Sequence, residues 1–565
     1  MLVRCLRAEG VDHVFGLVGG KLAPLLKALA QERAITFTGV RHESSAAMMA
    51  AAAFAGRGRI AVAIGEMGPG ALNLAAGLGG AFANNLPLLA ITTNQHRAAA
   101  YPHAGMFMDL DSVALTRPVT KWNAVVHDAR RLPDLVRRAF REALSGRPGP
   151  VHLDVPQDVL SSPCMLADGE DAIAPERYRA LDRPRPCADA VARAVACIGQ
   201  ARRPLIVAGG GVVAADAAGQ VRALAARLGA PVLPTQMALG VVASDSAHFI
   251  GHGGLIAGSP VWQAIAAADV IVAIGCRHSS WMWDDKGPMV RRTHRVVSIN
   301  IDPAALGHPV LHEVAMQADA RAALDDLLAA LGPAPALAVE TGWLDGARAA
   351  RRDYRARLDA MADEAGEVMH PAALARAVAQ ALPRDALAVY DGGHTTFWSN
   401  DFTGVAALRT RFHEPGMSHL GFGLPHALAL KRVLPDRPVF NLTGDGSFGF
   451  TVGELDTARR YRLGVVTIIH NNASWGVIRA GQKHQGFDFA TSLEDTDYAA
   501  IARGFGCHGE TVTRADEVAG AVGRSLASGL PAVLDCRTRF VPHPCMPGFG
   551  AMNRYGFEAL TGAAG

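Results

Sequence analysis

Two short passages carry the residue types that hold a metal ion and a phosphate tail. Asn441-Leu-Thr-Gly-Asp-Gly-Ser447 precedes the pair Asn471-Asn472, and Asp445 and Asn472 are separated by 27 positions (472 − 445). That interval accommodates one helix and a return strand, so two adjacent parallel strands would each end in a polar turn and the two ends would meet. Asp445 offers a carboxylate and Asn472 an amide oxygen, hard donors of the kind Mg²⁺ takes alongside phosphate oxygens and water. Gly444, Gly446 and Ser447 can present backbone N–H groups at the start of the following helix, a cradle for a diphosphate. Taken alone, Gly-Asp-Gly is also an ordinary strand-to-helix turn. The Asn-Asn at the end of the next apolar run moves the reading towards chemistry.

Such turns need a parallel sheet behind them. Short apolar, β-branched runs alternate with longer Ala/Leu/Arg stretches of helical period, the pattern of parallel strands with crossover helices, and the pattern occurs in three blocks. The expected strands are 35–40, 59–65, 88–93 and 151–155 in the first block, 204–208, 269–275 and 296–302 in the second, and 386–390, 438–443, 465–470 and 532–535 in the third. The expected fold is α/β, with three doubly wound domains at 1–165, 187–332 and 366–540 and a tail at 541–565. A Pro/Asp/Ser-rich passage up to Cys187 reads as a linker, and the Gly332–Pro335 stretch closes the second block.

The Gly444–Phe448 motif with its distant Asn-Asn resembles the metal and diphosphate signature of the thiamine-diphosphate-dependent enzymes, the group that includes acetolactate synthase, benzaldehyde lyase and 2-oxo acid decarboxylases. The resemblance spans nearly the whole chain. It implies a pyrimidine-binding first domain, a Rossmann-like middle domain and a diphosphate-binding third domain. It also implies that Asp445, Asn472 and the carbonyl of Ser474 bind the metal. Asp391-Gly-Gly-His-Thr395 matches the segment over the other side of the diphosphate, which brings in Gly393, His394 and Thr395. Ser418-His-Leu-Gly-Phe-Gly-Leu-Pro425 matches the segment whose large apolar residue wedges between the cofactor rings, here Leu420. Trp475 and Gly476 follow the metal loop beside the cofactor, and Val477 and Ile478 continue into the acyl pocket.

Arg41-His-Glu-Ser-Ser-Ala46 is by itself a helix start with an acid in the first turn. Within the resemblance, Glu43 is the acid that hydrogen-bonds the aminopyrimidine and drives it to the tautomer that removes the thiazolium C2 proton. Gly68-Pro-Gly-Ala-Leu-Asn73 matches the loop beside the pyrimidine, with Pro69 and Asn73 as contacts. Because this acid and the diphosphate site come from different subunits in the family, a homodimer or homotetramer with a shared site is implied.

Three positions depart from the family pattern. Met108 stands where many relatives carry a glutamine near the reactive carbon, Lys21 follows Gly19-Gly20 where others have a histidine or small residues, and Glu66 precedes Met67 where Thr or Ser is usual. Met108 therefore belongs with Val477 and Ile478 as a pocket residue. Glu66 reads either as a proton shuttle, hence a second catalytic candidate, or as a surface or helix-cap glutamate.

In the second block Pro204–Val212 runs into three glycines, but Ala214 prevents a complete G-x-G-x-x-G, so the structural reading leads and FAD or ADP stays open. Asp302 reads as a cap rather than a ribose ligand.

The 565 residues carry 55 Lys+Arg against 52 Asp+Glu, a net charge of +3 without a basic cluster, so nucleic acid is not an expected partner. Eight cysteines without a C-x-x-C pair argue against zinc or a disulfide framework, the first residues are too charged for a secretory signal, and no run suits a membrane span. The expectation is a cytoplasmic enzyme that binds thiamine diphosphate and Mg²⁺ and acts on a small carbonyl compound. It cleaves a 2-oxo acid or 2-hydroxy ketone, as a decarboxylase or lyase, or joins the fragment to a second carbonyl as a carboligase, a transferase in the manner of acetolactate synthase. An FAD-linked oxidase, an acyl-coenzyme-A lyase and a catalytically silent regulatory paralogue are the alternatives.

Overall fold

The computed structural model of the chain describes every residue except 101, 165–168, 170–172, 280, 284–289, 308, 334–337 and 547–565. Three wholly parallel sheets follow one another along the chain. The first contains β1 (His13–Gly16), β2 (Thr36–Gly39), β3 (Val62–Gly65), β4 (Leu89–Asn94), β5 (Trp122–Val125) and β6 (Val151–Pro156), in the order β2-β1-β3-β4-β6-β5. The second contains β7 (Pro204–Ala208), β8 (Val232–Pro234), β9 (Val270–Ile274), β10 (Arg295–Asn300) and β11 (Val314–Gln317), ordered β11-β10-β9-β7-β8. The third contains β12 (Leu387–Tyr390), β13 (Arg411–Phe412), β14 (Val439–Gly444), β15 (Val465–Asn471), β16 (His508–Val512) and β17 (Ala532–Arg537), ordered β13-β12-β14-β15-β17-β16.

Every run expected as a strand contains one, with ends shifted by a few residues. Six strands were not expected: β1, β5, β8, β11, β13 and β16. All but β1 lie at sheet edges. An edge strand is hydrogen-bonded on one side only and needs less apolar sequence, as the half-buried β5 and β16 show. The central strands are buried along their whole length, β15 at every position, which is why they read as unbroken apolar runs.

The first and third sheets have the same strand order, so each strand of one has a counterpart in the other. They are joined through the helix Glu43–Arg57, buried at every position from Glu43 to Ala53, packed against the helix Gly423–Val433. A helix apolar on all sides is stable only inside a core. The alanines at 46, 47 and 50–53 let it approach closely, and Gly56 meets Leu430. Residues 541–546 dock on the helix Gly393–Phe402, where His543 packs edge-on against Trp398 at 4.4 Å between ring centroids. Phe549 and Tyr555 of the tail, and positions 334–337 at the end of the middle block, lie outside the described residues. Asp302 caps the 3₁₀ turn Pro303–Ala305 by accepting from the Ala304 N–H at 3.0 Å. Among the described residues no helix is long and apolar enough to cross a membrane.

Candidate active site

Strands β14 and β15 are adjacent and in register up to Gly444 opposite His470, so their carboxyl ends are level. Asp445 opens the helix Asp445–Thr451, and the turn after β15 folds back on it through Ala473, whose φ of 49° is left-handed. Ser474 is the hub. Its N–H donates to Asp445 Oδ2 at 3.2 Å and its hydroxyl donates to Asn472 Oδ1 at 2.8 Å, which brings together the three residues expected to bind the metal through Asp445, Asn472 and the Ser474 carbonyl. The structure also separates the two asparagines. Asn471 donates to Asp535 at 2.9 Å and accepts from the Ala473 N–H, so its amide is used by the scaffold, whereas Asn472 faces the turn. Asp445 is 4% exposed, and burial pushes its carboxyl up to about 6 against the lowering by backbone N–H donors, Gly446 first. A residue not anticipated, Tyr498, braces the turn by donating its hydroxyl to the Asp445 carbonyl at 3.0 Å.

The segment after β12 forms the opposite wall. Asp391 is buried and accepts from the N–H groups of Gly421 (3.3 Å) and Gly423 (3.1 Å), tying the Leu420 loop to this wall; burial pushes its carboxyl up to about 6. Gly392 has φ 82°, and a Cβ there would lie 2.7 Å from Ser447 Oγ, so both conformation and space demand glycine. Thr395 Oγ1 is 3.3 Å from where a Gly444 Cβ would be, and His394 Nδ1 is 3.1 Å from the corresponding point on Gly476. Gly393 likewise abuts Val477, and Gly446 abuts the Trp475 ring. The expected diphosphate set therefore converges. Burial holds His394 down at about 3, so the ring is neutral, and its Nε2 accepts from the His543 N–H at 3.2 Å. Leu420 is half-buried, Ser418 is exposed with φ 51°, and Ile478 is 56% exposed, so of the two pocket residues only Val477 faces this wall.

Glu43 is the first residue of its helix, capped by His42, and is 5% exposed. Asn73 Nδ2 donates to its Oε2 at 3.0 Å, which unites the two expected pyrimidine contacts, while Pro69 starts the helix Pro69–Asn84 with its ring exposed. Gly70 lies between two acids: its Cβ would lie 3.2 Å from Glu43 Oε1 and 3.3 Å from Glu66 Cβ. Glu66 is neither a surface residue nor a free cap. Its Oε2 accepts from the Lys21 N–H (2.8 Å), and its Oε1 from the Met67 N–H (3.1 Å) and the Thr93 hydroxyl (2.9 Å). Met108, with φ 63°, has its carbonyl 2.6 Å from the Cβ position of Gly68, so it borders this half and not the Val477 wall. Among the described residues no hydrogen bond or ion pair joins Glu43, Glu66 or Asn73 to Asp445, Asn472, Ser474 or His394. One further residue is tied to both halves: Glu454 accepts from the N–H groups of Arg41 and His42, bracing the turn that presents Glu43.

A buried acid outside the expected set lies just before the Leu420 loop. Glu414 is 1% exposed, its Oε2 has no hydrogen-bond partner, and burial, helped by the Asp391 carboxylate, pushes it up to about 8. Below about 4.5 the folded and unfolded chains both carry this proton; between about 4.5 and 8 only the folded chain keeps it, so stability falls as pH rises through that window. Glu414→Gln is expected to remove on the order of 3 kcal/mol of that fall, seen as a smaller drop in melting temperature between pH 5 and pH 8. An unchanged pH profile in the variant would contradict this assignment.

The donor set suits a divalent ion bound to a diphosphate. Among the described residues no group of three His, Cys, Asp or Glu could hold a metal, so an ion here relies on one carboxylate, neutral oxygens and its ligand's phosphates, the Mg²⁺ pattern. Gly392, Gly393, Gly444, Gly446 and Gly476 let the three segments approach so closely that a Cβ at any of them would meet a side chain of the neighbouring segment, which leaves backbone N–H groups, rather than side chains, on the facing surfaces.

Comparison with known proteins gives the family. Residues 1–115 match the family model "Thiamine pyrophosphate enzyme, N-terminal TPP binding domain", 191–327 match the central domain and 391–536 the C-terminal TPP binding domain. The chain is 33% identical over 511 residues to a Pseudomonas aeruginosa protein named "Probable 2-ketoarginine decarboxylase AruI", covering 90% of this chain and 88% of that protein. It is 29% identical to the acetolactate synthase large subunit of Corynebacterium glutamicum, over 94% of this chain and 85% of the relative, and 29% identical to the isozyme 2 large subunit of Escherichia coli, over 94% of each. The chain belongs to the thiamine pyrophosphate enzyme family. The oxidase, acyl-coenzyme-A and silent-paralogue readings gain no support from these relatives.

Proposed function

We propose that this chain is a lyase or carboligase that acts on 2-oxo acids or 2-hydroxy ketones with thiamine diphosphate anchored through Mg²⁺. The observation that carries the reading is the meeting of Asp445, Asn472 and Ser474 in one turn against the Gly392–Thr395 wall. Thiamine diphosphate, when bound, supplies the electron sink for breaking or making a bond next to a carbonyl. Asp445, Asn472 and the Ser474 carbonyl hold the ion, while backbone N–H groups at Gly446 and Ser447 and the side chain of Thr395 bind the diphosphate. Leu420 and Trp475 set the ring orientation, and Glu43, steadied by Asn73, holds a proton at the pyrimidine. Glu66, with both oxygens engaged, braces the Lys21 loop against β3 and β4; this suits a positioning role better than a proton shuttle.

The site is shared between two copies in this reading. No hydrogen bond or ion pair among the described residues joins Glu43 to Asp445, Asn472 or Ser474, and the family resemblance supplies the two halves of one site from two copies. The compartment is proposed to be the cytoplasm. A cavity of about 350 Å³ opens where β7 and β9 end, lined by Gly209–Gly211, Thr235 and Asn300, at the point where a doubly wound sheet takes a nucleotide. ADP or FAD is a candidate for it, and flavin absorbance of the purified protein tests the latter.

Apoprotein given Mg²⁺ and thiamine diphosphate together is expected to gain about 2.7 kcal/mol at a hundredfold excess over the dissociation constant, read as a rise in melting temperature that neither reaches alone. A panel of 2-oxo acids and 2-hydroxy ketones, assayed for CO₂, aldehyde and coupled product, then separates cleavage from ligation. No thermal shift and no turnover would defeat the proposal.

A further inference from the structure

The sheet of the first domain reverses direction between β1 and β3: from β1 the chain goes outward to β2, and from β3 it goes the other way to β4. Ligands of open α/β sheets sit at the carboxyl ends of the strands at such a switch point. Two charged residues flank it, Lys21 beyond β1 and Glu66 directly after β3. They are not neutralised by each other. The Glu66 carboxylate is saturated by the Lys21 backbone N–H, the Met67 N–H and the Thr93 hydroxyl, all neutral donors. The Lys21 ammonium instead donates to a neutral amide, Gln157 Oε1 at 2.6 Å, just beyond β6. Among the described residues it has no ion-pair partner, it is half-buried, and two of its three N–H donors are unused. Its backbone N–H binds Glu66, the residue next in line to Glu43 across the Gly70 Cβ position, which is 3.3 Å from Glu66 Cβ and 3.2 Å from Glu43 Oε1, while its ammonium reaches away from Glu43 towards the end of β6, where the far end of a bound substrate would lie.

A half-buried cation without a counter-charge at the carboxyl ends of the strands, with one neutral acceptor and two donors left over, is suited to take an anion. We propose that Lys21 is a specificity residue that binds a second carboxylate, at the far end of a 2-oxo acid substrate. The carboxylate next to the carbonyl is a poor partner for it, because a group that departs as CO₂ would be held in the ground state and its loss opposed. A distal carboxylate stays through the reaction. The same charge repels a substrate with a cationic side chain, so the preference of this chain differs from what the name of its 2-ketoarginine decarboxylase relative says of that protein.

The inference rests on the 2-oxo acid reading, and its test is kept separate from it. Holoenzyme prepared with Mg²⁺ and thiamine diphosphate is titrated calorimetrically with glutarate, an unreactive dicarboxylate, and with hexanoate. Wild type binds glutarate more tightly than hexanoate. Lys21→Met, which keeps the aliphatic stem, weakens glutarate binding about tenfold, while Lys21→Arg largely retains it. In turnover, the preference in kcat/KM for 2-oxoglutarate over 2-oxohexanoate falls by a similar factor in Lys21→Met, mainly through KM. Equal glutarate affinity in wild type and Lys21→Met, or no wild-type preference for glutarate, overturns the inference. Failure of the broader reading shows differently, as absence of any thermal response to the cofactor and Mg²⁺.

Discussion

Glu43→Gln is expected to lower kcat by roughly 10²–10⁴, the range that a positioned acid–base group contributes, while leaving the thermal response to Mg²⁺ and thiamine diphosphate in place. The geometry separates these two readouts. Glu43 is held by its helix start, by the Asn73 amide at 3.0 Å and by the Glu454 brace on residues 41 and 42, and none of these bonds involves Asp445, Asn472 or Ser474. Glutamine has the same shape and fills the same space against Gly70, so packing survives. What is lost is a carboxyl able to hold and exchange a proton. Unchanged turnover in this variant would remove Glu43 from the chemistry.

Asp445→Asn is expected to have effects of opposite sign on the apo and loaded protein. The native carboxyl is pushed up from its ordinary 3.8 to about 6 by burial, so its contribution to apo stability is intact below pH 3.8 and is lost as pH rises through about 6. At pH 8 the neutral asparagine escapes that penalty, and the apo melting temperature stays level or rises. The loaded protein behaves the other way. Without the one carboxylate of the donor set, affinity for Mg²⁺ with thiamine diphosphate falls at least about a hundredfold, near 2.7 kcal/mol, and the thermal gain shrinks accordingly. A variant that kept the full gain would show that the ion, if it binds, is held elsewhere.

Much of the site was legible because its groups are local in sequence. Gly444–Ser447, Asn472–Gly476 and Gly392–Thr395 each follow a buried central strand, and such strands announce themselves as apolar runs with a polar full stop. The residues that brace the site were not legible. Glu454 reaches the N–H groups of residues 41 and 42 across more than 400 positions, Tyr498 reaches the Asp445 carbonyl across 53, and Glu414 looks like any loop acid until burial leaves its Oε2 without a partner. Glu66 was ambiguous for the same reason: whether a carboxylate shuttles protons or braces a loop depends on who donates to it, and Lys21 and Thr93 are distant in the chain.

The amino-acid order by itself determined the α/β class, the three blocks, the central strands and the local metal and diphosphate turns, because period, turn chemistry and short-range spacing are properties of contiguous residues. Only the tertiary structure decided which asparagine is spent on the scaffold, that Glu66 is saturated while the Lys21 charge is not, and that the first and third sheets share one strand order. Those outcomes depend on which donors and acceptors remain unpaired after distant segments have packed, and that count exists only in the folded chain.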